Sequence, residues 1–213
     1  YAGHGGVAIG NPVLRTMYAT QMADINLLLS DRVHSNSKIL YDRKPRDRVA
    51  KVAPWLTVDS DSLPAVVDGR MVWIVDGYTT SSDYPNSTKV DLRDAASDST
   101  TGNRVAQRGT EINYIRNSVK AVVDAYDGTV QLYAWQPDDP ILQTWQKVYP
   151  GTVKSRSAMS KDLLAHVRYP QDLFKVQRAM LGQYHVDDSS SFYQGDNRWT
   201  TPDDPTDPSR LQP

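Results

Sequence analysis

The sequence predicts an α+β fold, an antiparallel sheet built from two β-hairpins and covered by helices. Three observations predict it. Asp68-Gly69 and Asp127-Gly128 each lie between runs rich in Val, Ile, Tyr and Trp, the pattern of a two-residue hairpin turn. The hairpins span about residues 64–80 and 117–135. Segments before and after them carry apolar residues at near-helical spacing. Hairpins impose antiparallel pairing, and the long helices must then cover one face of the sheet.

Residues 1–11 are rich in glycine (Gly3, Gly5, Gly6, Gly10) but lack the strand-to-helix setting of a phosphate-binding loop. Asn11-Pro12 then reads as the cap and first position of a helix. Its stripe of Leu14, Met17, Tyr18, Met22, Ile25, Leu28 and Leu29 is expected to be a core face, with a partner-binding face as the alternative. A short helix follows, with Val49, Val52 and Ala53 on its apolar side and Pro54 as its stop. It carries the basic cluster Arg43, Lys44, Arg46, Arg48 and Lys51. That cluster is either a solvated face or a contact for lipid head groups or a polyanionic wall polymer.

In the first hairpin the second arm is apolar on both sides, which marks a central strand. Residues 81–110 form a long polar loop, in which Asp91 to Ala96 can make one helical turn. In the second hairpin a turn at Asp127-Gly128 pairs Ala125 with Val130, Val123 with Leu132 and Ala121 with Ala134. The opposite face then carries Tyr126, Asp124, Val122 and Lys120 against Thr129, Gln131, Tyr133 and Trp135. Asp139-Pro140 caps a helix with Ile141, Leu142, Trp145, Val148 and Tyr149 on its stripe, ended by Pro150-Gly151. Ser160 caps another, and Tyr169-Pro170 breaks it before a helical pattern through Leu173, Phe174, Gln177, Met180, Leu181 and Tyr184. Residues 1–199 read as a single domain, and 200–213 as an extended or disordered tail rich in Pro and Asp.

Composition narrows the function. A net charge of −1 gives no bulk attraction to nucleic acid or anionic lipid. With no cysteine, disulfides, thiolate zinc sites and Cys nucleophiles are excluded. No apolar run approaches the ~20 residues that span a bilayer, and the chain starts at Tyr1, so a fragment of a longer protein is expected. His4, His34, His166 and His185 form no zinc motif, and no GxSxG elbow is present. Asp59-Ser60-Asp61 lacks the Gly and Glu of a calcium loop. Neither a catalytic residue, a metal site nor a cofactor is assigned. The excess of 12 Tyr and 5 Trp over 2 Phe favours a recognition surface. The candidate binding residues are Tyr126, Tyr133 and Trp135 on the aromatic hairpin face.

The segments NYIRNSVKAVVDAYDGTV (113–130), HVRYPQDLFKVQ (166–177), APWLTVDSD (53–61) and VDGRMVWIVDGYTTS (67–81) carry a family resemblance. With PDDPI at 137–141, they resemble an uncharacterised protein family (UPF) of large multi-pass membrane proteins found mainly in actinobacteria. The resemblance implies a piece of an extracytoplasmic soluble region at the cell membrane, anchored through regions outside this sequence. It transfers no activity, ligand or catalytic residue. The expected role is a non-enzymatic interaction or structural module of the cell envelope, partnered by another envelope or membrane protein. The alternatives are part of an envelope hydrolase or transferase acting on glycan or lipid, resting on aspartates near His166, Arg168, Tyr184 and His185, and a cation-stabilised structural module.

Overall fold

The computed structural model of the chain describes residues 3, 5–96, 110–200, 203, 204 and 206–211. Its centre is a five-stranded sheet. In sheet order the strands are β1 (Thr57–Val67), β2 (Arg70–Ser81), β3 (Tyr114–Asp124), β4 (Val130–Ala134) and β5 (Val153–Ser155). Neighbours are antiparallel except β4 and β5, which run parallel. The two hairpins therefore belong to one sheet, with β2 in its interior as its two-sided apolar pattern requires.

Both hairpin turns form, in different ways. Val67 pairs with Arg70 around Asp68 (φ 49°) and Gly69 (φ 75°), the left-handed pair that a type I′ turn needs. The second hairpin departs from the expected register. Val123 pairs with Val130, Ala121 with Leu132 and Val119 with Ala134, so the pairing is displaced by two residues. The reason is Asp124. Its carboxylate accepts the N–H groups of Tyr126 (2.8 Å) and Asp127 (2.7 Å), and the Gly128 N–H closes on its carbonyl (2.8 Å). Residues 125–128 become a longer loop in which, of the Asp-Gly pair, Gly128 alone has positive φ. A displacement of two residues preserves the side-chain alternation, so the same residues face the same way.

Helices cover both faces of the sheet, not one. On the first face α2 (Pro45–Val52) and α3 (Pro140–Val148) bring Val49 and Leu142 onto Val75, Val119, Ala121 and Leu132. On the second, α4 (Lys161–His166) and the segment before it bring Met159 and Leu163 onto Ala65, Val72, Ile74 and Tyr133. A strand apolar on both sides has to be buried on both. Beyond α4, α5 (Gln171–Tyr184) runs along the edge near β1. The turn Leu92–Ala95 forms as expected, and Val90–Asp91 pairs with Glu111–Ile112. Residues 97–109 of the long loop and part of the tail lie outside the described residues, as does His4. Asp203–Asp204 pairs with Asp207–Leu211.

The N-terminal stripe is not a core face. The first helix, α1 (Pro12–Met22), ends at Ala23, which adopts φ 52° and turns the chain into the short helix Asn26–Leu29. The Arg15 guanidinium fastens the pair by donating to the carbonyls of Leu27, Leu28 and Ser30. Only Ala19 of α1 is buried. Val13, Met17, Ile25 and Leu29 are all more than 60% exposed.

The cap of α3 is a polar site with four donors on one carboxylate. Asp139 is fully buried and accepts the Leu142 N–H (2.9 Å), the hydroxyls of Thr79 and Ser118 (2.8 Å each) and the Tyr114 hydroxyl (2.5 Å). Burial would raise its pKa, but these donors pull it below the ordinary carboxylate value. Burial and Asp139 in turn push the Tyr114 phenol up to about 12. Asp139→Ala removes the helix cap and takes the acceptor from the Tyr114, Thr79 and Ser118 hydroxyls, of which Thr79 and Ser118 can still pair with each other at 2.7 Å, so it should cost about 2–3 kcal/mol in urea unfolding. Asp139→Asn, which keeps an acceptor, should cost less. Equal stability of Asp139→Ala and the parent chain would refute the cap.

Candidate functional site

The side chains with unusual chemistry gather at one end of the second face, where α4 turns into α5. Three devices hold that elbow.

The first is a β-bulge. The β1–β2 register shifts between Val58 and Ser62, which lifts Asp59, Ser60 and Asp61 out of the ladder. Pro170, at the cap of α5, has no side-chain hydrogen bond to give. The bulge supplies it instead. Asp59 accepts the Asp172 N–H (3.1 Å), and the Tyr78 hydroxyl accepts the Leu173 N–H (3.3 Å). Asp172 replies by accepting the Ser60 N–H (2.8 Å) and hydroxyl (2.6 Å). Asp59, Tyr78 and Asp172 are all buried.

The second is a cross-strand ion pair, Asp76 on β2 with Lys120 on β3. Lys120 is 1% exposed and also donates to the Arg168 carbonyl (3.0 Å) in the elbow. The third is Trp135. Its ring carries the Arg156 guanidinium at 4.0 Å and the Lys120 ammonium at 5.3 Å.

These devices leave a cleft of about 440 Å³. Asn117 lines it from β3, Trp135 and Gln136 from the segment that follows β4, Leu164 from α4, and Val167, Arg168 and Tyr169 from the elbow. Asn117 donates its amide N–H to Asp76 (2.6 Å). Among the described residues no group donates to the buried Asn117 Oδ1 and Gln136 Oε1 atoms. No carboxylate lines the cleft among the described residues.

The three candidate binding residues are placed apart. Tyr133 is 7% exposed beneath Met159 and Leu163, its hydroxyl donating to Gln131 (2.7 Å). Trp135 is half-buried and lines the cleft. Tyr126 is exposed at the hairpin tip, in a separate cleft of about 640 Å³ with Arg43, Lys44 and Arg48. Within the basic cluster Arg46, Arg48 and Lys51 bond to the Asp59 carbonyl, the Gly128 carbonyl and the Asp42 carboxylate. Of the residues behind the enzyme reading, only Arg168 reaches the elbow cleft. His166 bonds the Asp162 carbonyl, and His185 stacks on Trp199 at 3.8 Å. Tyr184 lines a different cleft, and α5 is 14 residues long, about 20 Å. Among the described residues no group of three or more His, Cys, Asp or Glu could hold a metal ion.

Sequence reasoning passed over Asn117, Gln136 and Lys120. Lys120 could have been singled out, because a lysine inside an apolar strand opposite Asp76 signals a buried pair.

The model of the Uncharacterised protein family (UPF0182) matches residues 1–213. A UPF0182 protein of Frankia alni is 53% identical over 216 residues, covering 100% of this chain and 21% of that protein. One of Paenarthrobacter aurescens is 56% identical over 208 residues (97% of this chain, 21% of that protein). One of Streptomyces coelicolor is 51% identical over 213 residues (98% and 21%). The chain thus spans about a fifth of the length of these relatives. No solved structure matches it.

The buried acids give a pH dependence. Burial and the neighbouring Asp172 raise the Asp59 pKa from 3.8 to about 6. A raised carboxyl pKa means that the fold prefers the protonated form. Its contribution is therefore full below the ordinary value of 3.8 and is lost as pH rises through about 6. Stability should fall by about 1–2 kcal/mol between pH 5 and pH 7. Asp59→Asn should flatten that stretch of the profile. Denaturant unfolding across this range decides it, and a parent profile already flat would show that the pair carries no proton there.

Proposed function

The chain belongs to the uncharacterised protein family UPF0182, and from that premise we propose that it is an extracytoplasmic domain of a multi-pass membrane protein, acting as a non-enzymatic interaction module at the cell membrane. The observation that carries this reading is the uncovered apolar face of α1 and the helix after it. Val13, Met17, Ile25 and Leu29 stand in solvent on an element that Arg15 holds in shape. A prepared but uncovered apolar face is the mark of a docking surface. Relatives about five times longer supply an occupant, a further segment of the same polypeptide. No helix among the described residues is long and apolar enough to cross a membrane. The motif resemblance to multi-pass membrane proteins supports the same placement.

A second reading attaches to the cleft beside Tyr126. Arg43, Lys44 and Arg48 line it, which suits lipid head groups or an anionic wall polymer.

The chain has no cysteine, which makes labelling decisive. In a cysteine-free version of the full-length protein, Met17→Cys and Lys51→Cys are probed in intact cells with a membrane-impermeant maleimide. Lys51→Cys should label without lysis, and Met17→Cys should be protected. In the separate 213-residue chain both should label. Labelling of Lys51→Cys only after lysis would overturn the extracytoplasmic placement. Equal labelling of the two positions in cells would overturn the docking face.

A further inference from the structure

We propose that the cleft at the tip of the β3–β4 hairpin docks this domain on an anionic phospholipid surface. The inference rests on the second reading above and decides between its two partners.

The charges select an anion. Arg43, Lys44 and Arg48 line the cleft from the start of α2 and the chain before it. The Arg43 and Lys44 side chains make no hydrogen bond or ion pair among the described residues. The Arg48 guanidinium donates to the carbonyls of Gly128 (2.6 Å) and Tyr41 (3.4 Å), which orient it without cancelling its charge. The nearby acids are engaged elsewhere. Asp124 and Asp127, both in the cleft wall, pair with Arg70 at 2.7 and 3.1 Å. Asp42 pairs with Lys51, and Asp47 lines a different cleft on the other flank of α2. The mouth is therefore locally positive although the whole chain carries a net charge of −1.

The hairpin loop holds these groups in place. Gly128 has φ 70°, and a β-carbon there would meet the Arg48 guanidinium at 2.5 Å. Its missing side chain lets the guanidinium lie against the loop. The Asp124 carboxylate fixes the same loop through the Tyr126 and Asp127 N–H groups. Tyr126 and Arg48 are thus presented side by side.

The apolar residues select a membrane over a soluble polyanion. Tyr126 is 55% exposed and Leu40 39% exposed, and both line this cleft. A polyanion dissolved in water offers such side chains nothing to bury against. At a lipid surface the cations meet phosphates, while the ring and the aliphatic chain enter the head-group layer, the level at which Tyr is enriched.

Flotation of the 213-residue chain with vesicles of phosphatidylglycerol in phosphatidylcholine, against phosphatidylcholine alone, tests the proposal. The anionic vesicles should bind at least about tenfold more tightly. Arg43→Gln and Lys44→Gln should each weaken that binding by about fivefold with unchanged circular dichroism, since neither side chain bonds anything among the described residues. Lys89→Gln removes the same charge beside the opposite end of β3 and should leave binding unchanged. Tyr126→Ser should weaken vesicle binding by about threefold or more and leave binding of soluble polyphosphate unchanged. Equal binding to the two kinds of vesicle, an equal loss with Lys89→Gln, or no loss with Tyr126→Ser would overturn the proposal. Binding of polyphosphate without vesicle binding would overturn it too, but would leave the second reading standing for a wall polymer. Binding of neither removes both.

Discussion

The reciprocal tie between the bulge at Asp59-Ser60-Asp61 and the first turn of α5 is the interaction on which this structure depends most. A helix start leaves backbone N–H groups without partners. Proline at the cap supplies a fixed backbone angle but no acceptor. Two strands make up the deficit, β1 with the Asp59 carboxylate and β2 with the Tyr78 hydroxyl. The price is two buried carboxyl groups side by side, and burial together with Asp172 raises the Asp59 pKa as a result. In return α5 is fixed at a defined place on the sheet. The elbow before it is gripped from the other side by Lys120, so the cleft wall is set by the core rather than by a loop.

Local rules were legible in the sequence where a residue acts on its own neighbours. Asn11, Asp139 and Ser160 cap helices with their own side chains, as their positions before apolar stripes indicate. Asp68-Gly69 makes the turn that its residue types demand. The second hairpin shows the limit of that reasoning. Asp127-Gly128 has the same composition, but Asp124 offers a competing carboxylate three residues earlier, and Arg70 holds that carboxylate from β2 at 2.8 Å. A cross-strand partner therefore chose the register, and such a partner is invisible to a local reading. The face assignment survived only because the displacement is even.

Long-range placement was less legible. The stripe of α1 has the spacing of a core face, yet spacing states only that a face is apolar, never what covers it. Asp59-Ser60-Asp61 invited a test as a cation loop, and its carboxylates turn out to serve backbone N–H groups and a phenol. Tyr133 and Trp135 share one hairpin face and both carry large rings. Nothing local told that α4 would close over Tyr133 while Trp135 stayed at the rim. Asn117 and Gln136 gave no signal, because an unpaired oxygen exists only in three dimensions.

The two faces of the sheet differ in a way that bears on function. Against α2 and α3 the packing is almost wholly apolar, with Asp139 fully satisfied at its margin. Against the elbow the same sheet buries an ion pair, two acids, a phenol and a half-satisfied amide. Buried pairs of this kind contribute little stability relative to apolar replacements, and their loss from one side is costly. A fold that needed only stability could have continued the apolar packing seen on the other face. Natural sequences depart from local consistency where a site has to be shaped, and compensate elsewhere. The departures here share one end of one face, and each one ties the sheet to the elbow between α4 and α5 or to a residue that does so.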